Sequence, residues 1–320
     1  MNLINDLKIV SMKTTREGFG EAMSFLAKKN KDVVVVTADL SESMKVDDLE
    51  KTFPEQFVQV GVAEQNMMGV SAGLAMSGKV PFAVSYAVFS PGRSWDQLRV
   101  SVCYSNANVK IIGGHTGLSV GPDGATHQAL EDVAMTRVLP NLLVVVPADY
   151  EQAKKATLAI AEHRGPVYMR LTRPKTACFT TAGTPFEIGK AQILRKGADI
   201  SVFACGPLVY EALLAAEEIK EKVDVEVINM HTIKPIDVEI VVRSAKKTGR
   251  VITFEEHQIN GGLGGAIAEV LSENQPTKMV RMGMHDSFGE SGEAKELLEK
   301  YGMNKDALIK EINNFIKING

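Results

Sequence analysis

Short apolar runs alternate along the chain with longer stretches in helical register. Val33 to Val36 is a run of four β-branched residues, bounded by Asp32 and by Thr37-Ala-Asp39. Val80 to Val84, Val109 to Ile112 and Leu142 to Val146 have the same character. Runs without polar alternation predict strands buried on both faces, as parallel strands are. Between them the pattern predicts helices over Thr15–Lys28, Glu64–Met76, Ser94–Ser105 and Tyr150–His163. Strand–helix alternation implies a parallel sheet covered by helices on both sides.

A second alternating unit follows the small, polar segment Thr180-Thr-Ala-Gly-Thr-Pro185. It predicts strands at Ile200–Ala204, Val225–Asn229 and Val251–Phe254, and helices at Leu208–Lys222, Ile236–Lys247 and Gly264–Ser272. Such segments act as linkers, so we expect an α/β protein of two consecutive parallel-sheet domains, 1–185 and 186–320. A chain of 320 residues is long enough for two domains.

Composition removes several function classes. Net charge is −3, with 36 Lys+Arg against 39 Asp+Glu, which offers no bulk-charged face for nucleic acid or lipid. The three cysteines, Cys103, Cys178 and Cys205, are far apart and form no C-x-x-C pair, which argues against a disulfide framework or a zinc site. The N-terminus has no h-region and no apolar run is long enough to span a bilayer. A cytoplasmic setting is the expectation.

Candidate chemistry gathers in three places. Glu64 opens a helix rich in small residues, including Gly69, Ser71, Ala72, Gly73 and Ala75. The helix dipole favours its ionised form, whereas burial favours a proton. That balance suits proton transfer, although capping of backbone N–H groups would explain the same residue. The loop Gly113–Gln128 follows a predicted strand, where open α/β sheets place ligands. It carries His115, Asp123 and His127 among five glycines. They could bind hydroxyls, a phosphate or a metal; surface decoration of a flexible loop is the alternative. Arg16, Arg93, Arg170 and Arg173 lie near predicted element ends, and each taken singly reads as a surface residue. Gly261-Gly-Leu-Gly-Gly-Ala266 departs from the dinucleotide spacing and reads as a tight loop before a helix. His257 reads as structural, and Met67, Met68, Met279, Met282 and Met284 as core filler.

Taken together, Thr15-Arg16, Ala38-Asp-Leu-Ser-Glu-Ser43, Gly61-Val-Ala-Glu-Gln-Asn66, Asp96-Gln-Leu-Arg99, His115–Gln128, Leu139-Pro-Asn, Pro147-Ala-Asp149 and Leu171-Thr-Arg-Pro174 resemble the transketolase family. Gly206-Pro, Thr232-Ile-Lys-Pro-Ile-Asp237 and Glu255-Glu-His resemble its C-terminal domain. The resemblance implies a thiamine-diphosphate pyrimidine-binding fold followed by that domain. It implies that Glu64 bonds N1′ of the cofactor's aminopyrimidine and favours its imino form. Phe89 and Tyr86 would pack on that ring, with Asp39 close by. His115, Asp123 and His127 would bind sugar hydroxyls and phosphate, with Glu64 and His127 as the catalytic pair. Arg16, Ser43 and Arg173 would clamp the phosphate.

The implied reaction moves a two-carbon ketol unit from a ketose phosphate to an aldose phosphate, with the pentose phosphate route as one setting. Ser90-Pro-Gly-Arg93 carries one residue more than the family pattern, and Ala125 stands where proline is usual. The Gly-Asp-Gly that holds diphosphate and Mg²⁺ in the family's first domain is missing from the chain. We therefore expect a separate N-terminal subunit to supply it, in an α2β2 heterotetramer, with no metal ligand here. The beta subunit of a 2-oxoacid dehydrogenase decarboxylase, a deoxyxylulose phosphate synthase and a non-catalytic regulatory homologue are the rival readings.

Overall fold

The computed structural model describes residues 3–319, with side chains to Lys317. Among these residues, fourteen strands form three sheets. The first half builds a seven-stranded sheet around β2 (Val33–Thr37), β4 (Val80–Tyr86), β5 (Lys110–Gly114) and β7 (Val167–Arg170). Its order is β12-β6-β7-β5-β4-β2-β3, where β3 is Phe57–Gln59, β6 is Leu143–Val145 and β12 is Thr232–Lys234. All its pairings are parallel except β12 on β6. Every residue of β2, β5 and β7 is buried, which is why these strands show no polar alternation.

The second sheet runs β14-β13-β10-β11-β9. Here β9 is Gln192–Arg195, β10 Ile200–Ala204, β11 Val225–Asn229, β13 Arg250–Gln258 and β14 Lys278–Met284. Its interior is parallel, but β9 joins β11 antiparallel. A short ribbon of β1 (Ser11–Lys13) and β8 (Thr176–Cys178) completes the set. The expected all-parallel sheets are thus mixed at their edges. Strands β9 and β12 are short segments whose sequences carry no long apolar run.

The predicted helices are present. Thr15–Lys29 starts on a capping box, in which the Thr14 side chain accepts from the Glu17 N–H and Glu17 accepts from the Thr14 N–H. Tyr150–Glu162 is capped by Asp149, whose carboxylate also accepts from the Phe179 and Thr180 N–H groups at 2.9 and 2.7 Å. Ser94–Ser105 departs from expectation. It holds a short α turn at Trp95–Gln97 and then a π-helix over Leu98–Tyr104.

The two units are not separate bodies. Phe203, Ile228, Met230, Ile233, Leu263 and Ile267 of the second pack in one cluster with Ile111, Val144, Val146 and Tyr168 of the first. Leu118, Leu130, Ala148 and Phe179 pack reciprocally into the second unit's core. The strands of the first sheet therefore end against a fixed wall, and the loops leaving those ends are held from two sides.

Candidate functional site

The predicted site residues lie at the carboxyl ends of parallel strands. Asp39 and Ser43 follow β2, Phe89 follows Tyr86 at the end of β4, His115 follows β5, and Arg173 follows β7. Glu64 opens the helix Glu64–Met76, which follows β3, and is 3% exposed. Arg93 Nη1 donates to both its carboxylate oxygens, at 3.2 and 3.1 Å. The Arg93 guanidinium also lies 4.1 Å from the Phe89 ring centre, a cation–π contact.

Beside this pair stands a cluster of rings. Tyr86 stacks on His115 with centroids 3.7 Å apart and on Phe89 at 6.1 Å. His127 meets Phe89 edge-on at 5.4 Å and Tyr86 at 6.4 Å. A buried carboxylate next to several rings fits a flat, partly apolar heterocycle bearing a hydrogen-bonding nitrogen. Glu64, Tyr86 and Phe89 would hold such a group. His115 Nδ1 is buried without a protein partner, a hydrogen-bonding atom left over for a ligand.

A basic recess is built around Arg173. Its Nη1 donates to the Val120 carbonyl at 2.6 Å, and its Nη2 lies 4.0 Å from Asp123. Arg16 sits behind it, 8% exposed, donating to the backbone carbonyls of Ser43, Thr172 and Arg173. Ser43 joins this cluster through its carbonyl. A recess of about 260 Å³ opens here, lined by Arg16, Arg173, Val120 and Glu293 among others. Asp39 is exposed, with φ of 62°, and its N–H donates to Gln59 Oε1 at 2.8 Å. His115 also has positive φ, 53°, the kind of backbone conformation that surrounding structure must enforce.

Burial first, then the charges of Arg16 and Arg173, push the His115 pKa down from 6.5 to about 3. Burial likewise lowers His231, which packs against the Phe186 ring, to about 4. Both imidazoles are therefore neutral in the fold at neutral pH. Below pH 6.5 the unfolded chain takes up protons that the folded chain refuses, so stability present above that pH drains away toward pH 4 and 3. The urea midpoint is expected to fall across this window. His231→Phe keeps the ring packing and removes one titration, so its profile should be shallower; a slope equal to that of the wild type would refute the assignment for His231.

The transketolase pyrimidine-binding domain model matches residues 11–177, and the transketolase C-terminal domain model matches residues 189–308. The chain belongs to the transketolase family. It is 41% identical over 296 residues to the 6-deoxy-6-sulfo-D-fructose transketolase subunit SqwH of Clostridium sp. (strain MSTE9), covering 92% of each chain. It is 38% identical over 309 residues to an apulose-4-phosphate transketolase subunit of Phocaeicola vulgatus, covering 96% of this chain and 99% of that one. A solved structure described as a split gene transketolase, inactive beta4 tetramer, matches with a TM-score of 0.89 at 44% identity, over 95% of this chain and 98% of that one.

Two features of this transketolase chain are not legible in its sequence. Arg93 is one: nothing in its neighbourhood marks it as the partner of a residue 29 positions away. Arg170 is the other, and it corrects the surface reading. Its side chain is 3% exposed, pairs with Asp132 at 2.8 Å, and donates to the carbonyls of Ala129 and Glu256 at 3.1 and 2.9 Å. Tyr168 donates to the same Asp132 oxygen at 2.7 Å. The glycine-rich stretch at 261 is a helix start: Glu255 accepts from the Leu263 and Gly264 N–H groups, both at 2.7 Å. A Cβ on Gly262 would lie 2.1 Å from Glu255 Oε2, so the glycine makes room for the cap. His257 is buried beside this cap, with Nδ1 2.7 Å from the Gln258 carbonyl. Among the described residues, no group of three or more His, Cys, Asp or Glu side chains could hold a metal, and no helix is long and apolar enough to cross a membrane.

Proposed function

We propose that this chain is the C-terminal subunit of a thiamine-diphosphate-dependent transketolase that moves a two-carbon ketol unit from a ketose phosphate to an aldose phosphate, in concert with an N-terminal subunit. The observation that carries the reading is the buried Glu64 carboxylate beside the rings of Tyr86, Phe89 and His127. Glu64, Tyr86 and Phe89 would hold the pyrimidine half of the cofactor, with Asp39 at the same edge of the sheet. When bound, the cofactor supplies the electron sink for cleaving and forming the carbon–carbon bond.

The chain's own residues then have separate tasks. Glu64 would meet N1′ of the pyrimidine. Neutral His115, with His127 and Asp123, orients the sugar hydroxyls, and His127 would exchange protons with one of them. Arg173 meets the phosphate, its backbone carbonyl held by Arg16, which also donates to the Ser43 carbonyl. The boundary near residue 185 divides the pyrimidine-binding part from the C-terminal domain. The relatives' names favour transketolase over the 2-oxoacid dehydrogenase reading.

The partner follows from what the chain offers and leaves open. Mg²⁺ and the diphosphate would be held by the second subunit, in a heterotetramer of two chains of each kind. Near the opening of the Glu64 helix, Val62 is 71% exposed; Met76, Val100 and Tyr104 are 64%, 44% and 86% exposed on that helix and the π-helix packed against it. Exposed apolar groups of this kind suit a protein interface.

Mixing tests the proposal. The purified chain with thiamine diphosphate, Mg²⁺ and pentose phosphates should show no turnover. Adding the N-terminal subunit should produce ketol transfer. Turnover by this chain alone would sink the split-subunit reading, and a mixture that acts on 2-oxoacids but not on sugar phosphates would sink the transketolase reaction.

A further inference from the structure

The loop bearing His115, Asp123 and His127 belongs to the first unit, yet residues of the second hold it in shape. Ser119 N–H donates to Glu256 Oε1 at 2.5 Å, a contact 137 residues apart in sequence. Glu256 is 3% exposed and projects from β13 of the second sheet. An independent feature of the backbone agrees with this contact. Gly117 has φ of 76°, and a Cβ there would lie 2.3 Å from Glu256 Oε1 and 2.4 Å from its Cδ. The loop therefore runs directly over the Glu256 carboxylate, with no room for a side chain between them.

The neighbouring contacts extend the same grip. Gln128 Nε2 donates to the Leu118 carbonyl at 3.2 Å and to the Glu290 carbonyl at 2.9 Å, tying the end of the loop back to Leu118 and across to the second unit. Arg170 joins the Ala129 carbonyl to that of Glu256. Val120, the residue after Ser119, gives its carbonyl to Arg173. The position of Arg173 thus depends on Val120, and that of Val120 on the Ser119–Glu256 bond.

We propose that Glu256 is a positioning residue through which the C-terminal domain sets the geometry of the substrate loop, and with it the affinity for the phosphorylated substrate. This rests on the function proposed above. Glu256 itself touches neither cofactor nor reacting atoms. Its effect should fall on KM, because Asp123 lies on the loop it holds and Arg173 bonds that loop through Val120, while Glu64 and Phe89 stand on other segments and His127 packs on the Tyr86 and Phe89 rings.

Two substitutions separate reach from charge. Glu256→Asp keeps the negative charge near Arg170 but is one methylene too short for the Ser119 N–H. Glu256→Gln loses the charge and keeps an oxygen at the same distance. In the enzyme reconstituted with its partner, E256D is expected to raise KM for the sugar phosphate about tenfold, the effect of one lost buried hydrogen bond, with kcat changed less than about threefold. E256Q should stay near wild type in both. Hydrogen–deuterium exchange on the full chain should show faster exchange across 115–128 in E256D and wild-type exchange in E256Q.

The reverse pattern, with E256Q impaired and E256D normal, would assign the effect to charge and overturn the proposal. An unchanged KM in both variants would also overturn it. The exchange measurement needs no reaction. A wild-type mixture without ketol transfer would therefore count against the proposed function, while unchanged loop exchange in E256D would count against the clamp.

Discussion

Glu64→Gln should lower ketol transfer by the reconstituted enzyme by about two to four orders of magnitude, the usual contribution of a positioned acid or base. The amide keeps the size of the side chain and one acceptor oxygen, but it cannot exchange a proton with the pyrimidine nitrogen as the carboxyl of the proposed function would. Stability should change little. The partner left behind, Arg93, has a side chain 53% exposed and can be solvated by water. The buried member of the pair is the one replaced by a neutral amide, so no uncompensated charge stays in the interior. The expected signature is therefore loss of rate without loss of fold, read from steady-state kinetics beside a denaturation curve. Activity within about threefold of wild type would remove Glu64 from the chemistry, and with it the central observation of the proposed function.

Asp132→Ala should have the opposite signature, a large loss of stability. Asp132 is 2% exposed and is the counter-charge of the buried Arg170. Burial is the largest influence and acts to lower the Arg170 pKa, but the charge and hydrogen bond of Asp132, with Glu256 and Tyr168, together outweigh it and the net direction is upward. Removing Asp132 leaves the guanidinium charged in a dry interior and takes an acceptor from the Tyr168 hydroxyl. Breaking a buried pair from one side costs about 3–5 kcal/mol. Asp132→Asn, which retains an oxygen for both donors, should lose less. Chemical denaturation of the three proteins decides the matter: a loss below about 1 kcal/mol in D132A would mean that Arg170 finds water or another partner, against the burial described above.

Much of the architecture could be read from local pattern. The helix Glu64–Met76 and the strands Ile200–Ala204 and Val225–Asn229 coincide with their expected limits. Each is an apolar segment flanked by small or polar residues, so the local signal and the final burial agree. The segments that differed are those whose form depends on neighbours. Strand β12 has three residues, and it pairs with the first sheet only because the chain returns there after building three of the five strands of the second. Strand β14 ends in the Met282-Gly-Met284 stretch, which reads as core filler without showing that it is a strand. The π-helix at Leu98–Tyr104 keeps an apolar pattern much like that of an α-helix.

The candidate site divides in the same way. Which residue types are available was already present in the chain: a carboxylate opening a helix of small residues, two histidines and an aspartate in a glycine-rich loop, and arginines near strand ends. Side-chain chemistry is a local property, and so is the period that sets strand or helix. What only the tertiary structure decided is who faces whom. Arg93 met Glu64, Arg16 turned inward to backbone carbonyls while Arg173 stayed half-exposed, and Glu256 reached across from the second unit to Ser119. The physical reason is that burial and pairing energies depend on groups many positions apart, and the close-packed core shared by the two units determines which of them come together.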